Sequence, residues 1–105
     1  MIKAEFFGTD PIRGFHITGH SGFCDEGSDI ICASVSSAAY MTANTLTEII
    51  GIHPEIKISD GDLYLKIKRE ELTESSQQIL RGFLLHLNAL CEQYQKYIKV
   101  SITEV

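Results

Sequence analysis

The chain opens with apolar side chains at every second position of residues 2–7. This period is typical of a strand with one buried face. Turn-forming residues follow at 8–11, and residues 13–18 alternate again, so the pattern predicts a β-hairpin. Continuing the alternation of the second strand puts His20 at its end, on the polar face. Because His20 faces away from the apolar side, its imidazole is a candidate catalytic group.

A long stretch without charge predicts the first helix, over residues 30–50. Ser28 or Asp29 can accept a hydrogen bond from the first turn as N-cap, and Gly51 ends the helix. Because residues 30–47 carry no charged side chain, we expect the helix to be covered on most sides, by the sheet and by a second helix or a second subunit. Its predicted apolar stripe comprises Ile31, Val35, Ala38, Ala39, Thr42, Leu46 and Ile49.

Two further alternating runs, residues 55–59 and 62–68, flank Asp60-Gly61. This dipeptide between alternating segments is a strong hairpin signal. The second run is predicted to direct its leucines and isoleucine to the core and its tyrosine and lysines outward. The core positions are Leu63, Leu65 and Ile67, and the outward ones are Tyr64, Lys66 and Lys68.

A continuous apolar stripe predicts a second helix over residues 73–97, with Ser75 and Gln78 as a capping box. Residues 98–103 alternate and predict a last strand. The order ββαββαβ favours an α+β fold of two layers, in which two helices pack on one five-stranded sheet that is mixed or antiparallel. The pattern does not determine the order of the strands.

The composition indicates one domain, residues 1–105, with 44% hydrophobic and 22% charged residues. The N-terminal residues show neither a signal peptide nor a membrane span, so we expect a cytoplasmic protein without membrane partners. A net charge of −5 with scattered basic residues argues against direct nucleic-acid binding and favours a basic partner. Three cysteines, an odd number at irregular spacing, fit reduced thiols better than a disulfide framework. No cofactor is predicted.

Cys32 and His20 are the candidate nucleophile and base. Cys32 falls in the first turn of the predicted helix, where unpaired N–H groups favour a thiolate and can hold the oxyanion formed when it attacks a carbonyl. Imidazole suits general acid/base work near neutral pH. Alone, each residue has an ordinary interpretation, Cys32 as a small buried hydrophobe and His20 as a surface residue. Their pairing across a glycine-containing loop favours an enzyme.

Residues 21–28 predict that loop, which contains Gly22, Cys24, Asp25 and Glu26. Cys24 is the weaker nucleophile, because the neighbouring carboxylates raise the pKa of its thiol. The spacing of His16, His20, Cys24 and Cys32 matches no familiar zinc-binding motif, so no metal site is predicted.

Three other residues bear on the nucleophile. The negative charge of Asp29, one turn from Cys32, disfavours the thiolate form of Cys32 unless the Asp29 carboxylate caps the helix. Ser36 lies four residues after Cys32, on nearly the same helix face, where its hydroxyl can orient the thiol or cap the backbone. Cys91 falls on the apolar stripe of the last helix and is predicted to be core.

The stretch Gly19-His20, then Gly27-Ser28-Asp29-Ile30-Ile31-Cys32-Ala33-Ser34-Val35-Ser36, resembles the signature of the ribosomal-processing cysteine protease family (Prp). The resemblance implies Cys32 as nucleophile, His20 as base, supporting roles for Asp29 and Ser36, and a homodimer. It also implies a substrate, the N-terminal extension of a large-subunit ribosomal protein precursor, cut after a phenylalanine. Such ribosomal N-termini are basic, which fits Asp25 and Glu26.

Two alternatives remain open. A non-catalytic dimeric ribosome-assembly factor could bind the same basic tail without cutting it. Cys24 departs from the family pattern and leaves open a redox-sensing disulfide with Cys32.

Overall fold

The computed structural model describes residues 1–19 and 29–104, with the backbone alone at Asp29. Its strands are β1 (Ile2–Phe7), β2 (Gly14–Thr18), β3 (Glu55–Ser59), β4 (Asp62–Lys66) and β5 (Ile98–Thr103). Its helices are α1 (Asp29–Asn44), which continues into a π-helical turn (Thr45–Ile50), and α2 (Glu74–Gln93). A short 3-10 turn, Arg69–Glu71, precedes α2. The predicted order ββαββαβ and the two-helix, five-stranded architecture are confirmed.

The sheet has the strand order β3-β4-β2-β1-β5. β1 pairs antiparallel with β2 and parallel with β5, so the sheet is mixed. β4 lies antiparallel between β2 and β3, which gives the predicted second hairpin. The connection that contains α1 links the first hairpin to the second, and the connection that contains α2 links the second hairpin to β5.

Both helices pack on one face of the sheet, over an apolar core. Phe83 of α2 is 3% exposed, and its ring lies 4.9 Å from that of Phe15 and 5.5 Å from that of Phe6. Leu63, Leu65 and Ile67 are fully buried as predicted. The opposite face of the sheet is largely polar. It also carries two aromatic side chains, Phe7 and Tyr64, whose rings lie 5.7 Å apart.

Ile49 was wrongly predicted on the buried stripe of the first helix, since it is 80% exposed. The backbone widens into a π-helical turn at Thr45–Ile50, and each turn of this kind holds more residues than an α-helical turn. The extra residue rotates Ile49 out of the stripe, whereas Leu46 stays fully buried. Gly51, in the left-handed region at φ 82°, ends the helix as predicted.

The predicted capping box of α2 was also wrong. Thr73 is the N-cap, its hydroxyl accepting from the N–H of Ser76, while the Ser76 hydroxyl accepts from the N–H of Thr73, each at 3.0 Å. Ser75 is exposed and already inside the helix. α2 also ends earlier than predicted, at Gln93, and Tyr94 begins the turn into β5.

Candidate active site

The N-terminal turn of α1 meets the C-terminal end of β2. Cys32 lies in that turn and is 5% exposed. Its Sγ atom lies 3.9 Å from the carbonyl oxygen of Gly19, the residue after β2. Two segments separated by the loop are therefore brought into contact at the predicted nucleophile.

Gly19 is held between two other segments, the β3–β4 turn and the residue before β1. Its N–H donates to the carbonyl of Gly61 in the β3–β4 turn, over 2.9 Å. Its φ is +82°, and a Cβ on it would lie 2.5 Å from the carbonyl oxygen of Met1. The N–H of Ile2, next along, donates to the carbonyl of Tyr97 at 2.8 Å. The backbone beside Cys32 thus packs without room for a side chain.

Cys32 is disulfide-bonded in this structure, so the expectation of reduced thiols was wrong for this residue, whereas Cys91 on α2 is free. A sulfur in a disulfide has no proton to lose and cannot attack a carbonyl, so the nucleophilic form of Cys32 requires reduction. Cys91 is half-buried and its Sγ lies 3.3 Å from the carbonyl oxygen of Ile98. It packs against the core as predicted.

Several predicted site residues lie outside the described residues: His20, Gly22, Cys24, Asp25 and Glu26. Asp29 begins α1, so the helix starts within one turn of Cys32, as the sequence indicated. Ser36 is half-buried one turn after Cys32 on the same helix. Of the predicted set, the described part of the chain brings Cys32 and Ser36 onto one helix face, next to the strand end that leads to residue 20.

His16 lies on the open face of the sheet, apart from Cys32. Its Nε2 is 2.8 Å from an oxygen of Asp62, and its ring packs edge-on against Tyr64 at 5.6 Å. Within residues 1–19 and 29–104, no three His, Cys, Asp or Glu side chains are grouped to hold a metal ion. The same ranges contain no helix whose length and apolar composition would let it span a membrane.

The contacts that Met1 and Gly61 make with Gly19 were not predicted from the sequence. They are backbone contacts between segments far apart in the chain, and alternation along a strand carries no signal for them. In the sequence, these contacts could have been suspected only from the glycine before His20 and from the Asp60-Gly61 dipeptide.

A family model described as cysteine protease Prp matches residues 1–99. The ribosomal processing cysteine protease Prp of Bacillus subtilis (strain 168) is 24% identical over 95 residues, which cover 86% of this chain and 85% of that protein. The protein of the same name from Staphylococcus aureus (strain Mu50 / ATCC 700699) is 25% identical over 84 residues, covering 79% of each.

Solved structures share the fold along the whole chain. SMU.848 from Streptococcus mutans has a TM-score of 0.89 at 23% identity, covering 100% of this chain and 99% of its own. The S. aureus Prp protease in complex with a substrate peptide has a TM-score of 0.88 at 20% identity, covering 98% and 100%. Because the family model spans nearly the entire sequence and the curated relatives are cysteine proteases of that family, the chain belongs to the cysteine protease Prp family and is a cysteine peptidase.

Proposed function

We propose that this chain is an endopeptidase that removes the N-terminal extension of a large-subunit ribosomal protein precursor, with Cys32 as nucleophile and His20 as general base and acid. The observation that carries the proposal is the 3.9 Å contact between Cys32 Sγ and the carbonyl oxygen of Gly19. In the sequence, His20 is the residue that directly follows Gly19.

In the proposed reaction His20 takes the thiol proton of reduced Cys32, and the thiolate attacks the substrate carbonyl carbon. The new C–S bond leaves an oxyanion, which the N–H groups of the first turn of α1 can stabilise, since they have no partner within the helix. Collapse of this intermediate breaks the C–N bond, and the imidazolium gives its proton to the departing amine. Water, deprotonated by the imidazole, then hydrolyses the thioester and restores the thiol.

Asp29 and Ser36 are proposed to support Cys32. The Ser36 hydroxyl, four residues after Cys32, can orient the sulfur from the next turn. Gly22 is proposed to contribute to substrate binding, and Asp25 and Glu26 to attract the basic residues of a ribosomal N-terminus. The relatives are named ribosomal processing cysteine proteases, which supports this class of substrate. We propose that the protein acts in the cytoplasm, where such a precursor is made.

Cleavage of a peptide of the form apolar-Phe-Phe-Ala-basic tests the assignment. The reduced protein should cut once, after phenylalanine, and Cys32→Ala and His20→Ala should each abolish the cut. Cys91→Ala and His16→Ala are matched controls that should retain it, because both residues lie away from the contact at Gly19. Cleavage by Cys32→Ala would show that the assignment is wrong. Binding of the peptide without cleavage would favour the alternative, a non-catalytic assembly factor.

We also propose that two copies associate through the helical layer. Its exposed face carries Ile30 (77% exposed), Tyr40 (39%), Met41 (54%) and Leu85 (72%). A groove of about 600 Å³ between α1 and α2, lined in part by Met41, opens on this face. Exposed apolar side chains grouped in this way are typical of subunit contacts, and α1 lacks the charges of a solvated face.

Sedimentation of Met41→Glu tests the association. The parent protein should sediment with twice the chain mass and the variant with the mass of one chain. Lys57→Glu, on the open sheet face, is the control and should remain a dimer. A monomeric parent at micromolar concentration would refute the association without affecting the assignment of Cys32.

A further inference from the structure

The backbone at Gly19 has a conformation and a neighbourhood that both exclude a side chain. Its φ of +82° is one that residues with a Cβ rarely adopt. An added Cβ would lie 2.5 Å from the carbonyl oxygen of Met1 and 3.3 Å from its carbonyl carbon. The first distance is well inside van der Waals contact, so a side chain here requires one of the two segments to move.

The Met1 carbonyl cannot yield easily. Ile2, next along, is 2% exposed, and its N–H donates to the carbonyl of Tyr97 over 2.8 Å. Its Cα is paired with that of Ile98 at the start of the parallel β1–β5 ladder. Met1 is thus tied to the β1–β5 ladder, and the strain from a side chain at position 19 falls on the end of β2.

Gly61 holds Gly19 from the other side. The N–H of Gly19 donates to the Gly61 carbonyl at 2.9 Å, one step beyond the Thr18–Asp62 pair that ends the β2–β4 ladder. Displacing Gly19 from Met1 therefore disturbs this hydrogen bond too. It also moves the Gly19 carbonyl, which lies 3.9 Å from Cys32 Sγ.

We propose that Gly19 is a positioning residue: because it has no side chain, Met1 and Gly61 can hold the end of β2 with the Gly19 carbonyl oxygen 3.9 Å from Cys32 Sγ. The inference rests on the proposed function, in which Cys32 is the nucleophile. Gly19 touches no substrate in this scheme and acts through the Cys32 sulfur that its carbonyl contacts.

Gly51 provides a matched control. Its φ is also +82°, but a Cβ there would meet nothing within 4 Å. Gly51→Ala carries the same backbone strain without the clash, at a helix end remote from Gly19 in the chain. Comparing Gly19→Ala with Gly51→Ala therefore separates the cost of positive φ from displacement of the strand end.

The experiment uses reduced, full-length variants at a temperature where circular dichroism shows each to be folded. We expect Gly19→Ala to lower kcat at least tenfold with KM within threefold of the parent, and Gly51→Ala to leave both within twofold. Iodoacetamide labelling of Cys32, followed by peptide mass spectrometry across pH, should give a midpoint shifted in Gly19→Ala and unchanged in Gly51→Ala. A purely structural role would not move the labelling midpoint of a folded variant.

A folded Gly19→Ala that matches Gly51→Ala in kcat and labelling would overturn the proposal. Should Gly19→Ala not fold, Gly19→Asn is measured, because asparagine tolerates positive φ better and keeps the Cβ. If neither folds, Gly19 serves the fold and the positioning role is rejected. A parent protein that does not cleave the peptide refutes the proposed function instead, and the labelling comparison still decides the role of Gly19.

Discussion

Truncating Phe83 should show how much of the fold depends on the ring that joins α2 to the sheet. Phe83 is 3% exposed and packs against the rings of Phe15 and Phe6. Replacing a buried Phe by Ala costs about 3 to 5 kcal/mol, because apolar contacts are lost and a cavity remains. The contact with Phe15 is edge-on, at an interplanar angle of 70°, and each such pair contributes about 0.5 to 1.5 kcal/mol of this. We therefore expect Phe83→Ala to lower the free energy of unfolding by about 4 kcal/mol.

Phe7→Ala is the matched control, since it removes the same side chain from the opposite face of the sheet. Phe7 is half-buried, with its ring 5.7 Å from that of Tyr64 and 6.0 Å from Lys66 Nζ. Fewer contacts are lost there, and we expect a cost of about 1 kcal/mol.

Urea unfolding at one fixed protein concentration measures both variants, because association shifts apparent stability. With a slope of about 1 to 2 kcal/mol per molar urea, Phe83→Ala should move the midpoint by about 2 to 4 M and Phe7→Ala by less than about 1 M. Equal shifts would refute the reasoning, since they would mean that the open face is packed as tightly as the core.

Three further variants are expected to behave as follows. Thr73→Ala should destabilise the protein by about 1 kcal/mol, lowering Tm by about 4 to 8 °C. Ser75→Ala should leave Tm nearly unchanged. A larger loss of Tm in Ser75→Ala than in Thr73→Ala would support Ser75 as the N-cap, as predicted from sequence. Gly82→Ala, placed in the monomeric Met41→Glu background because Gly82 lines the groove of the proposed association, should raise stability by about 0.8 kcal/mol, since the added Cβ meets nothing within 4 Å. A loss of stability in the same melting assay would contradict this. Peptide cleavage should be lost on oxidation with glutathione disulfide and regained with a reductant, because Cys32 is disulfide-bonded in this structure. Cys24→Ser should make cleavage by Cys32 less sensitive to the oxidant, and unchanged sensitivity would argue against the redox hypothesis.

Local patterns were enough to predict the elements and their faces. Alternation predicted all five strands, and the apolar stripes predicted both helices, because side chains repeat at fixed periods in each. The stripes were less reliable at helix ends. The Thr45–Ile50 turn widened and rotated Ile49 outward, and the α2 cap moved to Thr73. Both outcomes depend on how the terminal turns of the helices pack and hydrogen-bond, which periodicity does not record.

Residue patterns alone predicted Cys32 in the first turn of a helix and His20 at the end of a strand. The folded chain was needed to show that this helix start meets the end of β2, where the Gly19 carbonyl oxygen lies 3.9 Å from Cys32 Sγ. It was also needed to show that Met1, just before β1, and Gly61, in the β3–β4 turn, hold that end in place. Strand order and register come from pairing between distant segments, so contacts across β4, β2 and β1 exist only once the sheet has formed.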